Sequence, residues 1–199
     1  MKRLLIALIA CSVIAATAQS PLGSGLSPKD VVARLWKDAT EGELLTPDGW
    51  NKASQFFVEH KAFPANGSVK IVSNNWELGH SSISNDTAEV DVEYMDAGTV
   101  DASLRYSPPP QTGFYKAAMV FHLVFAPTHW TMFKSDGKTI IGKEERIGPA
   151  EWQIQEPAGL PWTTVNTAIR YVLEKREKTS DPTTRKNADE TLSRLLTLH

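Results

Sequence analysis

One imidazole stands inside the apolar run AMVFHLVFA, residues 118–126. Histidine titrates near neutral pH, so His122 is the side chain here best suited to moving a proton. A carboxylate behind the ring would fix its tautomer and raise its basicity, which makes a general acid-base dyad. Glu89, Asp91 and Glu93 are the carboxylates to consider, because they alternate with Ala88, Val90, Val92 and Tyr94 in a second strand-like run. The other histidines, His60, His80, His129 and His199, show no H-E-x-x-H or H-x-x-x-H spacing, so no metal or other cofactor is expected. No G-x-S-x-G elbow occurs to support a serine nucleophile.

Period-two geometry divides the residues around His122. Tyr115, Ala117, Met119, Phe121, Leu123 and Phe125 share one face; Lys116, Ala118, Val120, His122 and Val124 share the other. If the strand of residues 88–94 is a neighbour, its carboxylates join the His122 face and its apolar residues join the rings. The plainer reading of His122 is then a cross-strand ion-pair partner, covered in part by C-terminal helices or by a second subunit. The catalytic reading uses His122 with Asp91 or Glu93, and it lacks a third group and a pocket.

The elements that would hold these faces follow from caps and periodicity. Ser27-Pro28 opens a helix carrying Val31, Val32, Leu35, Trp36 and Ala39, stopped by Gly42. Thr46-Pro47-Asp48 opens a second helix, with Trp50, Ala53, Phe57 and Val58 on one side. Strands are expected from Val69 to Leu78, with a bulge or break near Ser73, and at 88–94, turned at Ser84-Asn85-Asp86. Further strands are expected at 100–106, 115–125, 130–133, 138–141 and 151–155. The proline-rich loop 107–113 and the turn Ser135-Asp136-Gly137 separate them. Val165, Ala168, Ile169, Val172 and Leu173 form a helical stripe; Asp181-Pro182 opens a last helix bearing Ala188, Leu192, Leu195 and Leu196. Thr179-Ser180 is a short link, so these two helices should be antiparallel.

The fold class is therefore α+β: N-terminal helices packed on a curved, mostly antiparallel sheet of about six strands, with a C-terminal helical hairpin. The organisation reads as a signal peptide at 1–18, a flexible leader at 19–27, a cone-like domain at 28–160 and a two-helix extension at 161–199. The signal assignment rests on Lys2-Arg3, an apolar run and the small residues Ala16-Thr17-Ala18. It predicts export to a periplasm or cell exterior; Leu8-Ile9-Ala10-Cys11 offers lipid anchoring at Cys11 as a lesser alternative. Cys11 is the sole cysteine, so the processed chain would have no disulfide or thiolate chemistry. The whole chain has 21 Lys+Arg and 23 Asp+Glu. Losing Lys2 and Arg3 leaves 19 basic against 23 acidic residues, or −4. Without a basic stripe, nucleic acid is not an expected partner, nor is a membrane once the signal is removed.

This element order, with Trp36, Trp152 and a final E-W-x-I strand at residues 151–154, resembles the SnoaL-like cone folds of the nuclear transport factor two superfamily. The resemblance spans Pro28 to about Glu156 and leaves out the C-terminal helices. It implies a pocket between helices and concave sheet, lined by Trp36, Phe57, Tyr94, Phe121 and Trp152, with Arg105 or Tyr106 near its rim. It also implies frequent homodimers and, in some members, isomerase or hydrolase chemistry. No acid is placed inside that apolar lining by alternation. The residues therefore favour a non-catalytic domain binding a small apolar molecule or a protein partner. An acid-base enzyme and a dimerisation module are the alternatives.

Overall fold

Helix α1 (Pro28–Glu41) forms because its ends are chemically closed and one of its sides is apolar. The Ser27 hydroxyl accepts the Asp30 N–H at 3.2 Å, and Asp30 in turn accepts the Ser27 N–H at 3.2 Å, a reciprocal capping box. Gly42 ends the helix with φ 91°, a conformation that costs glycine little. In the computed structural model, which describes residues 25–59, 63, 67–110, 116–135, 140–156 and 161–198, the stripe Val31, Val32, Leu35, Trp36 and Ala39 is fully buried. Leu26, expected in a loose leader, packs against the same core. Residues 1–24, including Cys11 and the expected signal peptide, lie outside the described residues.

The surface receiving α1 is a six-stranded sheet in the order β5-β4-β2-β1-β6. Its members are β1 (Val69–Ser84), β2 (Thr87–Val100), β3 (Tyr106–Ser107, beside β2), β4 (Lys116–Ser135), β5 (Ile140–Glu156) and β6 (Trp162–Thr164). All neighbours are antiparallel except β6, which runs parallel to β1. The sheet curls into a half-barrel, so the chain has the α+β architecture that the residue pattern predicts. Its concave side presents Val72, Ala88, Val90, Val92, Tyr94, Phe121, Leu123, Ile154 and Trp162 to α1.

Several elements differ from the sequence expectation. The segments expected separately at 115–125 and 130–133 fall, from Lys116 on, in one strand, as do Ile140, Ile141 and residues 151–155 in another. Pro127 and Pro149 do not break them. Beyond Val124, β4 has lost its β2 partner, and the β4–β5 register slips at 127–129; proline is tolerated at such edges and bulges. The intervening turn at 136–139 lies outside the described residues. Residues 101–105 are a turn rather than a strand, leaving only Tyr106–Ser107 to pair with Thr99 and Val100. Phe57 is not helical: α2 (Pro47–Ala53) gives way to a 3-10 turn, and Phe57 then runs extended beside Ile154, with the Val58 N–H donating to the Ile154 carbonyl at 3.0 Å.

The C-terminal hairpin, α3 (Val165–Lys178) and α4 (Pro182–Leu196), builds a second core. Val165, Ala168, Val172, Ala188 and Leu195 cover Ile71, Ala97, Val100 and Leu104. Ile71 can serve this core while Val72 serves the first because adjacent strand residues face opposite ways. Val100 has the parity of Tyr94 and would point inward but for a bulge at Ala97-Gly98, where Gly98 has φ 100°. A Cβ on Gly98 would lie 2.3 Å from the Ser107 carbonyl oxygen, so this close approach of β3 requires glycine.

The 101–105 turn is held by one carboxylate. Asp101 accepts the Ser103 N–H at 2.9 Å, the Ser103 hydroxyl at 2.7 Å and the Arg105 N–H at 2.9 Å. Partial burial works against the charge, but these donors outweigh it and hold the Asp101 carboxyl below its ordinary value. A depressed folded-state pKa contributes stability above the ordinary carboxylate range and loses it as pH falls through the lower folded value. Acid unfolding is thus expected to be steeper in the parent protein than in Asp101→Asn. Chemical denaturation from neutral pH downward measures this, and superimposable acid limbs would contradict it.

Candidate functional site

The register of β2 and β4 decides what His122 can do. His122 lies directly opposite Glu89, whereas Asp91 faces Val120 and Glu93 faces Ala118. The His122 Nδ1 is 3.4 Å from Glu89 Oε1. Glu89 is therefore the carboxylate of the pair, and the expected partners Asp91 and Glu93 are not. Glu93 is engaged by Lys116, which also sits 3.3 Å from Glu77. The hydrogen bond from Lys116 lowers the Glu93 carboxyl, and its partner's amine is raised in return.

Nor is His122 sheltered. Its side chain is 47% exposed and that of Glu89 57%, and Val120 beside them is 41% exposed. The C-terminal hairpin does lie on this outer face, but over Ile71, Ala97 and Val100 at its far end. The expected covering of His122 by those helices is thus corrected. A carboxylate–imidazole contact so open to water contributes little to stability. His122→Ala is expected to change unfolding free energy by under about 0.5 kcal/mol, the range for surface substitutions. A urea titration showing a loss above about 2 kcal/mol would overturn this reading of the pair.

The expected interior pocket is filled by the very rings proposed to line it. Trp36 stands 5.6 Å from Tyr94, 6.2 Å from Phe121, 5.8 Å from Trp76 and 5.4 Å from Trp162, measured between ring centroids. Trp36, Tyr94 and Phe121 are buried. Phe57 and Trp152 pack on the margin of this core, Trp152 with its ring 5.3 Å from Phe125. Tyr94, expected to orient a ligand, borders an open 330 Å³ hollow with Trp76, Glu93 and Lys116, and it carries Lys70 Nζ 5.1 Å from its ring centroid, that amine being 3.3 Å from Asp96. Burial disfavours that ammonium, yet Tyr94 and Asp96 together hold the Lys70 amine above its ordinary value. Arg105 is not at the cone rim. It lines a 540 Å³ groove with Tyr106, Asn187, Thr191 and Arg194, between the 101–105 turn and α4.

A different cavity has the composition of a ligand site. At the seam between the two cores, a 430 Å³ pocket is walled by Leu45, Phe63, Val69, Leu104 and Pro161, with Tyr171, Lys175, Thr179 and Thr184 on its α3–α4 side. Its size falls in the range typical of small-molecule sites, and its lining is divided about evenly between polar and apolar surface. Sequence reasoning missed Tyr171 and Lys175, because the charged run at 174–178 looks like a solvated helix face. Their i, i+4 spacing was the available signal: it stacks an amine over a ring one turn away, here 5.6 Å from Nζ to centroid. None of these three features, groove, interior or seam pocket, includes His122.

Among the described residues, no group of three or more His, Cys, Asp or Glu is placed to hold a metal ion, and no helix is long and apolar enough to cross a membrane. Compared with known proteins, the chain matches no family model, and no curated protein or solved structure is significantly similar to it.

Proposed function

We propose that the chain is an exported, non-catalytic domain of cone-like build that binds a small apolar ligand at the seam pocket. The observation carrying this reading is the contrast between an interior closed by interlocked rings and a 430 Å³ pocket where the C-terminal hairpin meets β1, apolar on its Leu45, Val69 and Leu104 side. The hairpin then has a function beyond covering Ile71 and Val100: it supplies one wall of the site. Element order and the curled sheet support the cone-like architecture, with the ligand moved from cone interior to seam. A neutral solvatochromic dye such as N-phenylnaphthylamine tests the reading. The dye should brighten with the parent protein and not with Ala102→Trp, which plugs the exposed pocket edge. Equal brightening with both proteins would sink it.

A second reading rests on the outer face. Around Glu89, Val120 and His122 that face is exposed, with the carboxylates of β2 beside Val120 and His122 of β4, a patch that two copies could cover reciprocally. Homodimerisation through it is measured by light scattering. A monomer at high concentration would dispose of this reading and leave the seam pocket untouched.

A further inference from the structure

We infer that the seam pocket selects an amphipathic monocarboxylate, its tail among Leu45, Val69 and Leu104 and its head between Tyr171 and Lys175. This rests on the seam reading above and adds the chemistry of the ligand to it.

The α3–α4 side of the pocket carries donors that other groups have not taken. Within the charged run ending α3, Lys178 pairs with Glu174 and Arg176 with Asp189 at 2.5 Å. Lys175 pairs with no carboxylate among the described residues, and it alone of these three lines the pocket. Its ammonium rests over the Tyr171 ring, which fixes it at the pocket edge. Tyr171 is half-buried, and its hydroxyl donates to no partner among the described residues. Burial, then the neighbouring Glu174, raises that hydroxyl above its usual range, so it remains a proton donor at neutral pH. Thr179 adds a third donor: its oxygen accepts the Asp181 N–H at 3.3 Å, leaving its own proton to give. The neighbouring anion Glu174 is held by Lys178, and Asp181 is spent on α4, taking the Thr184 N–H at 2.8 Å and the Thr184 hydroxyl at 2.6 Å.

One cation and two neutral donors match a monoanion with two oxygens. A phosphate monoester would bring nearly twice that charge against the same single ammonium. On the opposite side Leu45, Val69 and Leu104 present apolar side chains, which suit a hydrocarbon chain. A charge-assisted hydrogen bond is the stronger kind, so the carboxylate should bind well above its alcohol counterpart.

Calorimetric titration of the whole protein with decanoate and with 1-decanol tests this. Decanoate should bind at least about tenfold more tightly, and Lys175→Met should erase that preference while keeping decanol affinity, which also shows that the variant is folded. Equal affinity for acid and alcohol in the parent protein would overturn the carboxylate inference and leave the apolar pocket standing. Failure of both to bind, or unchanged decanoate binding in Ala102→Trp, would overturn the seam reading itself.

Discussion

Trp36→Ala is expected to destabilise the protein by about 3–5 kcal/mol, the cost of removing a large ring from a core that cannot collapse. Trp36 has no exposed surface, and the four rings around it belong to β1, β2, β4 and β6. Closing the cavity would require four separately anchored strands to move together, so the void should persist. One effect works the other way. The indole Nε1 is buried without a hydrogen-bond partner among the described residues, so its loss relieves an unsatisfied donor. That relief is smaller than the lost ring contacts and transfer free energy, and destabilisation wins. Trp36→Phe keeps most of the apolar volume and removes the donor, so it should lose clearly less than the alanine variant. Urea unfolding of both measures the difference. An alanine variant within about 1 kcal/mol of the parent would mean that the half-barrel interior is loosely filled, and would revive the interior pocket.

Thr191→Val is expected to cost about 2–3 kcal/mol, although it exchanges side chains of nearly equal shape. The Thr191 hydroxyl is buried, donates to the Leu104 carbonyl at 2.7 Å and accepts the Tyr106 N–H at 3.0 Å. This one oxygen ties α4 to the turn leading into β3. Valine leaves the buried Leu104 carbonyl and the half-buried Tyr106 N–H without this partner, and the penalty is their desolvation rather than a change in packing. Thr191→Ser retains the hydroxyl and should recover most of the loss. Because Leu104 also walls the seam pocket, the valine variant should bind the neutral dye less tightly. Amide exchange at Tyr106 reports the same event locally: protection should fall in Thr191→Val, and unchanged protection would contradict this account of the tie.

The sidedness of β4 was legible in the chain because alternation needs no tertiary information. His122 and Lys116 face out and Phe121 and Leu123 face in, as period two requires. The identity of the carboxylate beside His122 was not legible. The tight turn at Asn85 sets the β1–β2 register, but β2 and β4 are joined through the long stretch 101–115, whose length leaves their mutual register free. A shift by two residues would have given His122 to Asp91 instead of Glu89. The inward rings could likewise be named without knowing whether they fill the interior or line a void, since that depends on side-chain volumes in three dimensions. The C-terminal helices were legible as an apolar hairpin, and their place on the far end of the outer face was not. The seam pocket had the weakest signal. Its walls come from Leu45, Val69, Leu104, Pro161 and Tyr171, five separate stretches of chain, and no periodicity links them.

The central claim is that ligand enters the seam and not the half-barrel. Intermolecular nuclear Overhauser effects from bound N-phenylnaphthylamine to assigned methyl groups test it in the unmutated protein. The account predicts cross-peaks to Leu45, Val69 and Leu104; cross-peaks to Val90 and Leu123, the methyls of the concave sheet, would contradict it.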